Sequence, residues 1–387
     1  MKTSVLFLLA AILCTCNRVT ENSVKPILLL GKPESKIANL SDIASDIDYI
    51  PLETDSNSLI RYIYDLKTSE KYFYVKSLSE IICFDKQGSY LFKLNKQGRG
   101  PEEYNYIYDF DVSPKNNLLV INTSKKILIY NQSNKGFTFK NSLKCKFQPS
   151  QVRFIPNEES MMLSYSTSYG YEKYRNVVID LNGDTLVTRP NYYKYVKFDD
   201  SGLSAFKNDN ISFVFGNRLH FKEMFSDTIF YLDHSLKILP YLILNSEGKL
   251  PTSQYMGDWR NVFNRYTEFI HFNYIIELPR YLIYSFNYAN SVWLTVYDKS
   301  ENKKFGINST TFLKDDLIGG LNFEPKFCCD GVLYSWVDAL SLRNFVESDA
   351  FKNSIVKEPQ KKMELKTFIN SINDTDNPIL IAVTLKN

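Results

Sequence analysis

Few side chains of this 387-residue chain have the types and spacing that a chemical reaction requires. The three histidines, His220, His234 and His271, lie too far apart to provide the short ligand spacing of a zinc site. No serine, histidine and aspartate form a recognisable nucleophile motif, and no phosphate-binding loop with its lysine and hydroxyl residue is present. We therefore expect no catalytic residues, no metal site and no cofactor, although an active site assembled from distant loops would leave no local motif.

The segment Gly98–Tyr104, which reads GRGPEEY, is the strongest candidate for binding. Its glycines permit backbone conformations that other residues avoid, so we favour a tight structural link between two units of the fold. In the alternative interpretation, the charged and aromatic side chains of the segment lie near a central channel and bind a sugar or a peptide. These side chains are Arg99, Glu102, Glu103 and Tyr104.

Two further sites combine residue types that could bind a ligand. Trp259 lies between Asp258 and Arg260, which places an aromatic ring beside a charge pair and suits a ligand contact. Asp315 and Asp316 are adjacent carboxylates, but a calcium loop needs more oxygen ligands at regular spacing, so we expect a solvated loop. The 27 tyrosines and 27 phenylalanines could form a sugar-stacking platform, although we interpret them mainly as core filling.

The composition is that of a globular protein that is rich in strands. Hydrophobic residues make up 44% of the chain and charged residues 23%, which is ordinary for a folded domain. Aromatic residues reach 15%, and together with isoleucine and valine they favour strands over helices. The net charge is only +3 and the basic residues are dispersed, so we expect no nucleic-acid partner.

The N-terminus has the features of an export signal. Lys2 precedes the short apolar run Val5–Leu13, which is too short to span a bilayer. The following residues resemble the lipobox of bacterial lipoproteins, with Leu13 three positions before Cys16 and Thr15 at a position that is usually glycine, alanine or serine. The resemblance implies a signal peptide over residues 1–16, lipid attachment at Cys16 and a tether over residues 17–39. The alternative is an ordinary secretory signal, and both interpretations place the protein outside the cytoplasm.

The segment after Cys16 lacks an acidic run that resembles a surface-export signal, so we expect a periplasm-facing lipoprotein of the outer membrane. An exported compartment permits disulfides, but the sequence does not define a pairing. Four cysteines remain after the signal segment, and the adjacent pair among them could form only a strained bridge. They are Cys83, Cys145, Cys328 and Cys329.

A short motif, an apolar residue followed by aspartate or asparagine at the mouth of a hairpin, recurs at intervals of 40 to 65 residues. The clearest unit is Tyr72–Asn95, in which Gly88 can adopt the positive φ of a turn. Repeats of this length, with no helices between the strands, are typical of propeller blades. We predict an all-β, six-bladed β-propeller over residues 40–387, with a pair of β-sandwiches as the alternative. The copies are Phe84-Asp85, Tyr130-Asn131, Ile179-Asp180, Leu232-Asp233, Tyr297-Asp298 and Val337-Asp338.

The pattern changes near the C-terminus. Apolar residues at i, i+3, i+4 and i+7 predict one short amphipathic helix, followed by the apolar strand Ile379–Leu385. A closed ring needs one blade built from both ends of the chain, and the strand at Asp48–Glu53 is the natural partner. Pro51 in that strand suits a sheet edge or a strand end, because proline cannot donate to a ladder. The helical positions are Leu365, Phe368, Ile369 and Ile372.

Several segments resemble the six-bladed β-propeller lipoproteins of Bacteroides-type bacteria. Gly98–Tyr104 is similar to the GxGPGEY link between the first and second blades of that family, with Glu102 in place of the usual glycine. The resemblance covers roughly residues 40–385 and implies the fold, and because that family has no general activity it implies no catalytic residues. The other matching segments are Leu40–Ile43, Asp48–Thr54, Phe225–Phe230, Asn377–Leu380 and, more weakly, Asp315–Gly320.

Two functions fit these observations. The first is a lipid-anchored binding module of the cell envelope that recognises a carbohydrate, a peptide or an envelope protein. The second is an envelope enzyme, a glycoside hydrolase or a lyase, with its site at the channel mouth. Paired carboxylates over the channel would favour the hydrolase, and a histidine with metal ligands would favour the lyase.

Overall fold

The computed structural model describes residues 26–30, 39–113, 115, 117–123, 126–156, 158–168, 170–196, 208–308 and 312–386. Their strands form six antiparallel sheets that follow one another around a central channel, so the predicted six-bladed β-propeller is confirmed. In each blade the first of four strands lines the channel, and the next three lie progressively farther out.

The strand bounds follow one pattern in the first five blades. From the channel outward, blade 1 contains Asp65–Thr68, Tyr72–Ser77, Glu80–Asp85 and Tyr90–Leu94, and blade 2 contains Asp109–Ser113, Leu118–Asn122, Lys126–Ser133 and Gly136–Lys144. Blade 3 contains Gln151–Phe154, Ser160–Ser164, Tyr174–Asp180 and Thr185–Pro190. Blade 4 contains Asn210–Phe215, Arg218–Glu223, Thr228–Leu232 and Ile238–Asn245, and blade 5 contains His271–Glu277, Tyr281–Tyr288, Ser291–Asp298 and Lys303–Asn308.

Blade 6 joins the two ends of the propeller. Its strands, from the channel outward, are Phe327–Cys329, Val332–Val337, Ile379–Leu385 and Ala44–Pro51. The last two pair in antiparallel register from Ala44 opposite Leu385 to Pro51 opposite Ile379, so the predicted closure by terminal strands is confirmed. Pro51 ends the outermost strand, where no ladder donor is needed.

The copies of the recurring hairpin motif occupy two different positions in the blades. The first five copies lie in or at the end of the third strand of blades 1–5. The sixth copy, Val337-Asp338, ends the second strand of blade 6, so the expectation of six equivalent copies is wrong at this position. The reason is that the third strand of this blade comes from the end of the chain. Asp338 instead caps a helix, accepting the Ser341 N–H at 2.8 Å.

Helical segments lie mainly between the second and third strands of blade 6. Pro359–Ile369 confirms the predicted C-terminal helix and buries Leu365 and Ile369, while Ile372 follows its end. The α-helices are Trp259–Asn264, Ala339–Glu347, Asp349–Lys352 and Pro359–Ile369, and the 3-10 helices are Leu40–Asp42, Gln254–Gly257 and Tyr266–Glu268. Within the described ranges, no helix has the length and apolar composition of a membrane span.

Part of the segment expected to be a tether packs against the ring. Ile27–Leu28 forms a fifth, parallel strand on the outer edge of blade 4, with Ile27 opposite Leu244. Leu29 is buried, and the Lys304 ammonium donates to the Leu28 carbonyl at 2.9 Å. This strand covers a sheet edge that would otherwise be open for pairing with another chain. The predicted lipid site Cys16 and signal segment 1–16 lie outside the described residues.

Hydrophobic clusters fill each of the six interfaces between neighbouring blades. Alternate residues of one strand serve two interfaces, because successive strand side chains point to opposite faces. In blade 1, Phe73 packs toward blade 6 and Tyr74 toward blade 2. Gly88 adopts φ +89° in the hairpin of this blade, where a Cβ atom would lie 1.9 Å from the Pro51 carbonyl oxygen. The packing therefore joins the blades into one ring.

Truncating a buried side chain of the closing strand should destabilise the whole ring. Leu380 is fully buried between blades 6 and 1, so we expect Leu380→Ala to lower the free energy of unfolding by about 2–5 kcal/mol. Thr384→Ala, at an exposed position of the same strand, should change it by less than about 1 kcal/mol. Urea denaturation measures both values, and equal stability of the two variants would contradict closure through this strand.

Candidate functional site

The central channel has a volume of about 1660 Å³ and is lined by the inner strands of all six blades. Successive inner strands run side by side, so the residues that precede them meet at one end of the channel. We call the end formed by residues 62–64 and 106–108 the tyrosine mouth. A concave site of this kind is the usual place for a ligand in a protein of this architecture.

The tyrosine mouth is encoded by one short sequence that occurs twice. Residues 62–65 and 106–109 both read YIYD and lead directly into the inner strands of blades 1 and 2. Ile63 and Ile107 are buried at 2% and 0% exposure, whereas the tyrosines on either side of each isoleucine are exposed. The exposed tyrosines are Tyr62 at 61%, Tyr64 at 43%, Tyr106 at 44% and Tyr108 at 46%.

The four rings form two edge-to-face pairs. The ring centroids of Tyr62 and Tyr64 are 5.1 Å apart, and those of Tyr106 and Tyr108 are 5.0 Å apart. Lys76 connects the pairs, because its carbonyl accepts the Tyr64 N–H at 2.9 Å while its ammonium donates to the Tyr108 carbonyl at 3.1 Å. The same ammonium lies 5.4 Å from the centre of the Tyr106 ring. The pairs thus belong to one surface that spans two blades.

A cluster of charged side chains lies in the channel next to the tyrosine mouth. The Arg153 guanidinium is 2.5 Å from the Asp109 carboxylate, and the Lys67 ammonium is 3.7 Å from the Asp65 carboxylate. Asp111 faces the same cluster, and burial raises the pKa of its carboxyl group despite the nearby Arg153 and Lys67. The two ion pairs neutralise most of the charge at this point of the channel.

Two of these carboxylates also connect neighbouring blades. Asp109 accepts the Val152 N–H at 2.7 Å, and Asp111 accepts the Phe154 N–H at 2.8 Å. The inner strand of blade 3 has one edge that faces the channel and pairs with no other strand. The two carboxylates therefore accept hydrogen bonds from backbone N–H groups that have no partner within the sheet. The carboxylates of blade 2 are therefore held in fixed positions.

Amide side chains connect the inner strands of blades 3, 4 and 5. Gln151 donates to the Asn210 carbonyl at 2.7 Å and accepts the Ser212 hydroxyl at 3.1 Å. Asn208 donates to the Asn273 carbonyl at 3.0 Å. The wall of the channel on this side therefore contains several amide groups, which can donate and accept hydrogen bonds.

The residues predicted from GRGPEEY lie in the link between blades 1 and 2, and none of them lines the channel. The Glu103 carboxylate accepts the Gly100 N–H at 2.8 Å, and a Cβ atom at Gly98 would lie 2.0 Å from that carboxylate. Tyr104 is buried, and its hydroxyl group donates to a strand carbonyl of blade 1. These contacts fit the structural interpretation of the link.

The remaining charged residues of the link are more accessible. Glu102 pairs with Lys96 at 2.5 Å, and Arg99 is exposed. Trp259 begins the helix Trp259–Asn264, and its side chain lies outside the described parts of the structure. Ligand binding by these residues stays a prediction, and residues 98–104 are not among those that line the channel.

The expectation of a solvated loop at Asp315 is wrong, because this residue is only 2% exposed. Its carboxylate accepts the N–H groups of Leu317 and Ile318, both at 3.0 Å, and of Gly320 at 2.8 Å. Burial raises the pKa of this carboxyl group. The adjacent Asp316 accepts the Ser41 N–H at 2.9 Å, so this pair of carboxylates holds backbone segments together.

A second, smaller cavity of about 250 Å³ lies between blades 4 and 5. Lys222 lines it with a side chain that is almost fully buried, and burial lowers the pKa of its amine to about 7. The amine donates to the Glu223 carbonyl at 3.3 Å and lies 4.2 Å from the centre of the Phe272 ring. His271 stacks on Tyr266 at 4.0 Å, and burial lowers the pKa of this histidine to about 4.

The described residues contain no group of three or more histidine, cysteine or acidic side chains arranged to hold a metal ion. The four cysteines downstream of the signal segment are free thiols. Burial raises the pKa of the Cys83 thiol, which keeps the thiol protonated and poorly nucleophilic. The channel is therefore the principal candidate site in this part of the chain.

A family profile for a domain of unknown function, DUF4934, matches residues 30–384. The chain belongs to the DUF4934 family. No functionally curated protein matches it. A solved structure of a presumed exported protein from Bacteroides fragilis is similar to this DUF4934 chain with a TM-score of 0.72 at 18% sequence identity, over 94% of this chain and 99% of the other.

A second solved structure, a DUF4221 family member from Bacteroides vulgatus, gives a TM-score of 0.53 at 12% identity, over 89% of the DUF4934 chain and 97% of the other. At these identities the similarity concerns the fold alone. The YIYD repeat is the feature that sequence analysis missed. Its signal was the identical sequence at residues 62–65 and 106–109, which alternates exposed and buried positions.

Replacing the buried lysine of the second cavity should stabilise the protein, with a defined pH dependence. In the folded state the pKa of Lys222 is about 7, below its ordinary value of 10.5. Between these two pH values the folded state binds fewer protons than the unfolded state, so the protein loses stability as the pH falls through this range. We expect Lys222→Met to raise the free energy of unfolding at pH 7 by at least about 1.4 kcal/mol, the equivalent of one pKa unit.

The gain should shrink as the pH rises and should be small at pH 10.5, where about half of the unfolded-state amine is already neutral. Lys93→Met, which removes a half-exposed lysine paired with Glu80, serves as the control and should change stability by less than about 1 kcal/mol. Urea denaturation of the variants at pH 7 and pH 10 makes the comparison. A gain that does not depend on pH would rule out the burial of a titrating amine as its cause.

Proposed function

We propose that this protein is a lipid-anchored, non-catalytic binding module of the cell envelope, whose ligand occupies the central channel. The observation that carries the proposal is the tyrosine mouth, where four large aromatic side chains remain exposed beside a cavity of about 1660 Å³. Single exposed aromatic residues are common, but a contiguous group at a concave site is typical of binding surfaces.

The proposed location rests on the N-terminal sequence and on the fold. The apolar run Val5–Leu13 and the following Cys16 resemble a lipoprotein signal, and a propeller of similar structure from Bacteroides fragilis is a presumed exported protein. The membrane, reached through acyl chains on Cys16, is thus one proposed partner, and the periplasmic face of the outer membrane is the proposed site.

A bulky residue in the channel should block any ligand, whatever its chemical class. Ser212 lies on the inner strand of blade 4 and lines the channel, so Ser212→Trp should reduce by at least tenfold the binding of every ligand found with a glycan array and a peptide library. Thr188→Trp, on the exposed outer strand of blade 3, is the matched control.

The recovered ligand should be chemically unchanged, as chromatography and mass spectrometry would show. Ligands that bind the Ser212→Trp protein as tightly as the wild type would contradict a site in the channel. A ligand that is cleaved during incubation would contradict the non-catalytic assignment.

Removal of the proposed lipid site should change where the protein is found. Acyl chains contribute about 0.8 kcal/mol of membrane affinity per buried CH₂ group, so Cys16→Ala should move the protein from the membrane fraction to the soluble fraction. Immunoblots of the fractions measure this, with Cys83→Ala as the control because that thiol is buried in blade 1. Unchanged fractionation would contradict the lipid anchor, and cleavage by protease on whole cells would contradict the periplasmic face.

One observation favours the second function, an enzyme acting in the channel. Burial raises the pKa of both Asp111 and Glu324, which line the channel, and a raised carboxyl pKa is what a general acid requires. Against this role, Asp111 is already bonded to the backbone of blade 3. A turnover that Asp111→Asn or Glu324→Gln abolishes, with binding retained, would establish the enzyme.

A further inference from the structure

We propose that the tyrosine mouth binds a neutral saccharide chain, whose sugar rings lie on the tyrosine rings and whose hydroxyl groups bond to the polar channel wall. This inference rests on the proposed function, because it names the class of ligand for the same channel. It involves no chemical step, and the chain is released unchanged.

The four tyrosines do not contribute to the core in the way that other aromatic residues of the chain do. Tyr104 and Tyr130 are 2% and 0% exposed and fill blade interfaces, whereas Tyr62 is 61% exposed. Ile63 and Ile107 already supply the buried contacts of the two YIYD segments. The tyrosine rings therefore expose apolar surface to water and add little buried area that would stabilise the fold, as expected of a binding surface.

The rings are available on their faces and at their hydroxyl groups. In the described part of the chain, no residue accepts a hydrogen bond from the hydroxyl groups of the four tyrosines. The face of an aromatic ring carries partial negative charge, which attracts the weakly positive C–H groups on one side of a pyranose ring. Two adjacent pairs, joined by Lys76, provide a surface longer than a single sugar ring and so favour a chain.

The charges at this mouth favour a neutral ligand. Arg153 is paired with Asp109 at 2.5 Å and Lys67 with Asp65 at 3.7 Å. The remaining groups, the Asp111 carboxyl group and the Lys76 ammonium, are of opposite sign, so the mouth presents no large field of one sign. An acidic chain or a phosphate would need unpaired cations, and a basic peptide would need unpaired carboxylates.

The opposite wall offers the groups that sugar hydroxyls require. Gln151 and Asn208 line the channel and are partly exposed. Gln151 donates to the Asn210 carbonyl and accepts from Ser212, and Asn208 donates to the Asn273 carbonyl, which leaves each amide group further capacity to donate to and accept from a sugar hydroxyl.

Apolar side chains also line the channel, among them Phe213 and Ile275, but the exposed tyrosines and the amide groups together match the two kinds of surface that a sugar ring presents, apolar C–H groups and hydroxyl groups. Stacking on one side and amide hydrogen bonds on the other therefore fit a saccharide better than a peptide.

The test measures binding of defined probes to the mature protein. The neutral probes are xylohexaose, cellohexaose and mannohexaose, the acidic probe is hexagalacturonic acid, and titration calorimetry gives each affinity. We expect at least one neutral hexasaccharide to bind and the acidic one not to bind. The double variant Tyr62→Ala/Tyr106→Ala should weaken that binding by at least about tenfold, because each lost ring removes a stacking contact.

Two control proteins separate stacking from folding. Tyr171→Ala/Tyr192→Ala removes tyrosines that are 71% and 68% exposed but do not line the channel, and it should bind like the wild type. Tyr62→Phe/Tyr106→Phe keeps the rings and should retain affinity within about threefold. All variants should unfold at the wild-type temperature, since the replaced rings lie at the surface and not in the core clusters.

The outcomes distinguish this inference from the proposed function. If Ser212→Trp abolishes binding while the tyrosine variants do not, or if only peptides bind, the saccharide surface is overturned and the channel remains the site. If the acidic hexasaccharide binds more tightly than every neutral one, the neutral class is overturned. If neutral saccharides bind but neither Ser212→Trp nor the tyrosine variants weaken them, both proposals fail.

Discussion

The antiparallel pairing of Ala44–Pro51 with Ile379–Leu385 is the constraint on which the rest of the structure depends. It joins residues from opposite ends of the chain in one blade, and only after it forms do all six blades have two neighbours. Each blade interface is a separate apolar cluster, so an open ring would expose one such surface to water. The channel exists because the ring is closed.

The packing of neighbouring blades determines which side chains meet at the channel. The YIYD segments lead into the inner strands of neighbouring blades, and in each segment the isoleucine is buried while the two tyrosines are exposed. The carboxylates of Asp109 and Asp111 then bond to the backbone of blade 3, which fixes the inner strands relative to one another. Rigid strands thus position the aromatic surface, and rigid positioning lowers the entropic cost of binding.

Local patterns in the sequence predicted most of the fold. The hairpin motif, as at Phe84-Asp85, marks a turn between two sequential strands, and its repetition identified the blades. Val337-Asp338 was misread as an equivalent copy because the strand that completes its blade is distant in sequence. The site was harder to predict, since the two YIYD segments become neighbours only when blades 1 and 2 pack together. GRGPEEY was the strongest candidate for binding because it is a local motif, but the Glu103 carboxylate accepts a hydrogen bond from the backbone of the same link.

The central claim, that a ligand lies on the tyrosine mouth, can be tested most directly by fluorine NMR. All 27 tyrosines can be labelled with 3-fluorotyrosine, and single Tyr→Phe variants assign the resonances. On titration with the tightest-binding neutral hexasaccharide, we expect saturable shifts for Tyr62, Tyr64, Tyr106 and Tyr108, and none for Tyr171. Saturable shifts confined to tyrosines outside the channel would contradict the account.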